Sequence, residues 1–126
     1  MVIEIRNRTY HDHYGHLVIA LEGSAVHAYG GSVVVASKGA EVIALEGSAV
    51  HAFEGAEVTA FEGSEITAHG GSEVHAYEGS EITAHKGSRV YAHEGSEVRA
   101  LPGSLVVANK GSLVHAYEGA TVIPIT

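Results

Sequence analysis

The hydrophobic positions of this chain recur in a pattern of eight residues. From Gly15 to Gly119 a glycine stands at every eighth position, and three residues after each glycine comes Val or Ile. An Ala follows two positions later as far as Ala116, and most of the glycines are followed directly by Ser. Constant residues thus alternate with variable ones, which is the period of a β-strand with one buried face. The octad, Gly-Ser-x-Val-x-Ala-x-x, therefore predicts a short strand between two corners.

The glycine frequency restricts the fold further. Each glycine inside a helix costs about 1 kcal/mol relative to Ala, so helices are excluded. Gly-Ser instead supplies a corner, because glycine accepts the positive φ of a sharp turn. The unbroken repeat predicts an all-β fold, a single-chain parallel β-helix (β-solenoid) over residues 15–126. Residues 1–14 lack the octad and are expected to form an N-terminal cap with a strand at Val2–Ile5.

The variable positions predict how many octads make one coil. They match best at a lag of three octads, and Val18–Ala28 returns letter for letter at Val42–Ala52. Three octads per coil predict a three-sided solenoid of 24 residues per coil, with like residues stacked about 4.8 Å apart. One repeat, of Gly63–His69 at Gly79–His85, has a lag of two octads. A two-sided coil of sixteen residues therefore remains an alternative.

The three-octad coil aligns distinctive outward side chains on one face. It predicts a column of imidazoles beside a column of aromatic rings. Aligned aromatic side chains offer a large contact area and lose little conformational entropy on binding. We therefore expect a recognition or dimerisation face, made of His27, Tyr29, His51, Phe53, His75, Tyr77 and Arg99.

Two further groups are candidates for metal binding. The predicted coil gathers Glu54, Glu57, Glu78 and Glu81 at one corner, where Ca²⁺ would offset the repulsion between stacked carboxylates. His11–His13 forms a second, His-Asp-His group near the N-terminus. However, charged outward rows also keep strands from pairing with other molecules, and a straight column of His does not converge on an ion. No cofactor or metal is therefore predicted.

Composition narrows the classes of partner. Seven Lys+Arg against fifteen Asp+Glu give a formal charge of −8, which disfavours binding to the nucleic-acid backbone. The chain has no Cys, and no apolar run approaches the roughly 18 residues of a membrane span. The N-terminal residues do not have the form of a signal peptide. These features leave the compartment unassigned.

The octad is similar to the repeat of bacterial ice-nucleation proteins, in which Gly-Ser-Thr-x-Thr-Ala carries an ice-facing Thr-x-Thr. Here the equivalent positions read Glu57-x-Thr59, Glu81-x-Thr83 and Glu73-x-His75, so the resemblance implies the solenoid without the ice-binding activity. The octad also looks like those of phage and secretion-system puncturing spikes, in which three chains intertwine. It resembles, too, the repeats of bacterial surface and phage-associated β-solenoids, whose roles are structural or adhesive.

These observations predict a non-enzymatic structural or self-assembling element, because the octad leaves no loop insertion in which to build a catalytic cleft. Outward apolar residues early and late in the chain indicate a homo-oligomer or filament that associates through the C-terminal end or the aromatic face. The alternatives are a binding module for a protein or surface ligand, adhesive or ice-interacting, and an intertwined trimeric spike. Ten His predict assembly that depends on pH between about 5 and 8.

Overall fold

A computed structural model describes residues 2–13 and 15–125. These residues form sixteen short strands and no helix, and so they contain no helix with the length and hydropathy needed to cross a membrane. The strands are β1 Val2–Ile5, β2 Thr9–Asp12, β3 Leu17–Ala20, β4 Ala25–Ala28, β5 Val33–Ala36, β6 Glu41–Ala44, β7 Ala49–Ala52, β8 Glu57–Ala60, β9 Glu65–Ala68, β10 Glu73–Ala76, β11 Glu81–Ala84, β12 Arg89–Ala92, β13 Glu97–Ala100, β14 Leu105–Asn109, β15 Leu113–Ala116 and β16 Thr121–Ile125.

The strands alternate between two parallel sheets, and this confirms the predicted β-solenoid. The eight odd-numbered strands form sheet A and the eight even-numbered strands form sheet B. Each odd strand and the even strand after it make one coil, so the described chain has eight coils. Residues sixteen apart occupy the same position in successive coils, as Thr67 and Thr83 do in sheet A.

The predicted number of faces was wrong, because the coil has two faces and sixteen residues rather than three faces and 24. The corner geometry gives the physical reason. In the corner Leu101–Ser104, the Ser104 amide donates to the Leu101 carbonyl at 3.1 Å, and Gly103 has a φ of 87°. This is the pattern of a type II β-turn, and Pro102 occupies its second residue, a position at which proline is common. Such a turn reverses the chain, so two of them return it to its starting sheet.

Serine and glycine stabilise each corner in different ways. The buried Ser80 hydroxyl donates to the carbonyl of Tyr77 at 2.6 Å, and the same bond recurs in most corners. From Gly23 to Gly103, each corner glycine donates its amide to the carbonyl of the corner glycine in the next coil, as Gly79 does to Gly95 at 2.9 Å. The backbone ladder therefore continues through the corners as well as the sheets. It gives hydrogen-bond partners to corner N–H and C=O groups.

The core consists of columns of Val or Ile and columns of Ala between the sheets. From coil 2 to coil 6 these residues are at most 2% exposed, as are Val74 and Ala76. The first coil fills the same columns with larger side chains, Ile5 and Tyr10, and with the buried Asp12. Residues 2–13 form the first coil of the solenoid, and the strand at Val2–Ile5 is confirmed. A capping role for residues 1–14 stays a prediction.

Candidate functional site

Aromatic and imidazole rings on the outward faces stack along the solenoid axis in three groups. The N-terminal stack lies on sheet B, where His11 faces His27 at 4.3 Å between ring centroids and His13 faces Tyr29 at 4.0 Å. The sheet A stack joins Phe53 to His69 at 4.5 Å and His69 to His85 at 4.9 Å. The central sheet B stack is the largest and contains Phe61, Tyr77, His93, His75 and Tyr91.

The orientation of these rings decides what they offer to a ligand. Neighbouring rings in the sheet A stack are within 5° of parallel, and they follow one another from coil to coil. Their faces therefore cover one another, and their edges point to solvent. The surface therefore presents ring edges at about the coil spacing, rather than open ring faces on which a flat ligand could stack.

The face predicted from the three-octad coil does not form. His27 in β4 and His75 in β10 lie on sheet B, and Tyr29 and Tyr77 directly follow these two strands. His51 in β7 and Arg99 in β13 lie on sheet A, and Phe53 directly follows β7. The structure instead pairs Phe53 with His69 and Tyr77 with His93. Sequence reasoning missed His69, His85 and His93, although the two-octad repeat of Gly63–His69 at Gly79–His85 contained the signal for the first two.

Stacking changes the proton affinity of two imidazoles. Burial, followed by the neighbouring His85 and His51, lowers the pKa of His69 below its usual value. The pKa of His27 is lowered by burial and by His11. Both rings therefore favour the neutral form, since burial and, to a smaller extent, a neighbouring imidazolium disfavour the charged form.

The structure does not bring the metal-binding candidates together. Glu54 and Glu57 flank the corner between β7 and β8, whereas Glu78 and Glu81 flank the corner between β10 and β11, on the opposite edge of the solenoid. In the His11–His13 segment the Asp12 side chain points inward, fully buried, while the rings of His11 and His13 stack outside. Within residues 2–13 and 15–125, no three His, Cys, Asp or Glu side chains are grouped so as to hold a metal ion.

Asp12 has a structural partner. Its carboxylate accepts hydrogen bonds from the backbone amide of His16 at 3.0 Å and from the ring Nδ1 of His16 at 2.9 Å. The carboxylate replaces the Ala of the octad, because Asp12 lies in register with Ala28. The pair fastens the start of the second coil to the first.

The surface depressions are shallow. One of about 40 Å³ lies beside Thr83 and Arg99, between Glu81 and Glu97. Another of about 160 Å³ lies at the corner beside Glu73 and Arg89, whose side chains form an ion pair at 3.5 Å. Sites for small molecules usually enclose about 300–1,000 Å³, so neither depression could enclose a substrate.

Two apolar patches are the remaining feature of the outward faces. The N-terminal apolar patch lies on sheet A and the C-terminal apolar patch on sheet B, at opposite ends of the solenoid. Between them the first outward position of the strands is mostly Glu, as at Glu65 and Glu81. The N-terminal apolar patch comprises Val2, Leu17, Ile19, Leu21, Val33 and Val35, and the C-terminal apolar patch comprises Leu105, Val107, Ile123 and Ile125.

Comparison of the chain with protein-family models, with curated proteins and with solved structures found no match.

Proposed function

We propose that this protein is a non-enzymatic structural element, a rigid rod that self-associates through its two apolar patches. The proposal rests on the placement of these patches at opposite ends and on opposite faces of the rod, separated by outward rows that are mostly charged, polar or aromatic. In the N-terminal apolar patch Val2 is 57% exposed and Leu17 is 37% exposed. In the C-terminal apolar patch Ile123 and Ile125 are 47% and 46% exposed.

Exposed apolar patches of this kind mark interaction sites on soluble proteins. A contact between the two different patches is heterologous, and such contacts produce open assemblies when the rotation does not close. Packing the N-terminal apolar patch of one copy on the C-terminal apolar patch of another staggers the rods by most of their length. Each added copy then leaves a patch free for the next one, which supports a filament.

The shallow depressions and the regular backbone ladder support a role without catalysis. Two features favour the structural role over a binding module. The ring stacks expose their edges and not their faces. In described sheet A, outward Thr residues stack only at Thr67 and Thr83, so there is no long row of hydroxyl groups. The strands of one chain are enough to bury core residues such as Val74 and Ala76, which favours a single-chain solenoid over an intertwined trimer.

Sedimentation velocity across a concentration series tests the proposal. We expect the wild-type chain to form larger species as its concentration rises, and we expect Leu17→Lys or Ile123→Lys to suppress them because a charge then enters the contact. Thr83→Lys is the matched control, since it adds the same charge to the outward face of sheet A outside both patches. A wild-type chain that stays monomeric, or equal suppression by Thr83→Lys, would refute the proposal.

A further inference from the structure

The last strand of sheet B carries a proline on its outer side. Pro124 in β16 lies in register with Ala108 in β14. At the same position in earlier coils, the carbonyl accepts a hydrogen bond from the next coil, as Ala28 does from Leu45 and Ala76 from His93. The N–H and C=O of one residue in a strand point to the same side, so the backbone nitrogen at this position also points toward the next coil.

Proline alters the outer edge of β16 in two ways. It has no N–H to donate, and its ring fills the space in which a carbonyl of the next strand would approach. Proline is otherwise absent from the described strands. The other described proline, Pro102, lies in a corner, where its missing N–H interrupts no ladder within the sheets.

The outer end of the last coil is otherwise suited to further stacking. Ala116 is exposed, and Val114 and Val122 are only half-buried, whereas the residues of the same core columns in coils 2 to 6 are buried. This end therefore leaves core side chains in contact with water, next to strand edges that can pair with another chain.

The first coil of a second copy fits that end. Its strands β1 and β2 would continue sheets A and B in parallel register, which places Val2, 57% exposed, on Leu113, 53% exposed. Glu4 and His11 would direct their backbone groups toward the added contact, because Ile5 and Asp12 direct theirs to the second coil. In this arrangement the Pro124 ring meets the carbonyl of His11.

We propose that Pro124 is a stop, which prevents the first coil of a second copy from stacking on the last coil and so keeps the solenoid from growing end to end. This inference goes beyond the proposed function, since it concerns the ends of the rod and not the patches on its faces. It confines association to the faces, where neighbouring rods overlap with a stagger.

Pro124→Ala tests the stop, because it restores the Ala of the octad together with its donor. The readout is the length of rods in negative-stain micrographs, with every chain carrying Leu17→Lys so that the staggered face contact cannot lengthen the particles. Eight coils at about 4.8 Å each span about 40 Å. We expect Pro124→Ala to produce end-to-end rods in multiples of that length and to raise the end-to-end association constant at least about tenfold. Pro124→Thr restores the donor with a different side chain and is expected to do the same. Pro102→Ala is the matched control, and its rods should keep the wild-type length.

A second substitution identifies the occupant. Glu4→Pro removes an outward donor from β1 without interrupting the pairing of β1 with β3, so adding it to Pro124→Ala should return the rods to the wild-type length. Pro124→Ala and Pro124→Thr rods of wild-type length would overturn the proposal, and so would equal elongation of Pro102→Ala. Elongation that persists in the Glu4→Pro, Pro124→Ala double variant would show that the first coil is not what the stop excludes. Failure of the proposed face contacts would leave these length measurements intact, because the Leu17→Lys background already lacks those contacts.

Discussion

Three substitutions of corner glycines by alanine separate backbone strain from collision between coils. Gly30 lies in a corner without a positive φ, and a Cβ there would be 3.6 Å from the carbonyl oxygen of Glu46, an ordinary contact. Gly31, its neighbour, has a φ of 83° and an added Cβ would lie 3.7 Å from Gly15. Gly79 combines a φ of 82° with a Cβ position only 3.0 Å from the Cα of Glu62 in the coil below.

The expected costs follow from these distances. Gly30→Ala reduces the freedom of the unfolded chain and should stabilise the protein by about 0.4–1 kcal/mol. Gly31→Ala forces alanine into the left-handed region and should cost about 1–2 kcal/mol. Gly79→Ala adds a backbone collision of the kind that costs about 1–3 kcal/mol on overpacking, for a total of about 2–5 kcal/mol.

Urea unfolding followed by circular dichroism measures the three free energies of unfolding. The order of stability should be Gly30→Ala, wild type, Gly31→Ala and Gly79→Ala. Equal effects of Gly30→Ala and Gly31→Ala would refute the type II corner, and equal effects of Gly31→Ala and Gly79→Ala would refute the close stacking of corners sixteen residues apart.

The remaining predictions concern buried and stacked polar groups. Because the pKa of His69 is lowered in the folded state, the unfolded chain binds the proton more readily, so stability should be complete above pH of about 6.5 and fall as the pH drops below it. His69→Phe keeps the ring and should reduce the loss of Tm between pH 7.5 and 5.5; an unchanged loss would contradict this reasoning. Asp12→Ala leaves the amide of His16 without its acceptor and should lower the free energy of unfolding by about 1–3 kcal/mol, whereas no change in urea unfolding would argue against a role in fastening the coils. Ser80→Ala removes one buried hydroxyl bond and should cost only about 0.5–1.5 kcal/mol in the same assay.

The octad determined the strands and corners, but it could not by itself determine the number of faces. Val stacks on Val and Ala on Ala in any whole number of octads, so the core columns are equally satisfied at sixteen or 24 residues per coil. The residues at the outward positions match best at a lag of three octads, but their similarity does not determine how the coils stack. The decisive property is the corner, because Gly-Ser closes a four-residue turn that reverses the chain.

The candidate site depended on that choice of register. With two octads per coil, His69 lies between Phe53 and His85, and Tyr77 lies on His93. The outward apolar residues Leu17 and Val33 were visible in the sequence, but only the two-sheet coil shows that they share sheet A. The stacking of rings face to face also could not be predicted, since it depends on side-chain rotamers that the octad does not specify.

Disulfide formation between paired cysteines tests the two-sided coil most directly, and the chain has no Cys of its own to interfere. Thr67 and Thr83 are paired neighbours on β9 and β11 of sheet A. Adjacent strands lie about 4.8 Å apart, which is within the roughly 4.4–6.8 Å between Cα atoms that a disulfide spans. Thr59 and Thr83 are 24 residues apart and lie on opposite sheets. Under mild oxidation, Thr67→Cys with Thr83→Cys should form an intramolecular disulfide, and Thr59→Cys with Thr83→Cys should not. The reverse outcome would contradict the sixteen-residue coil.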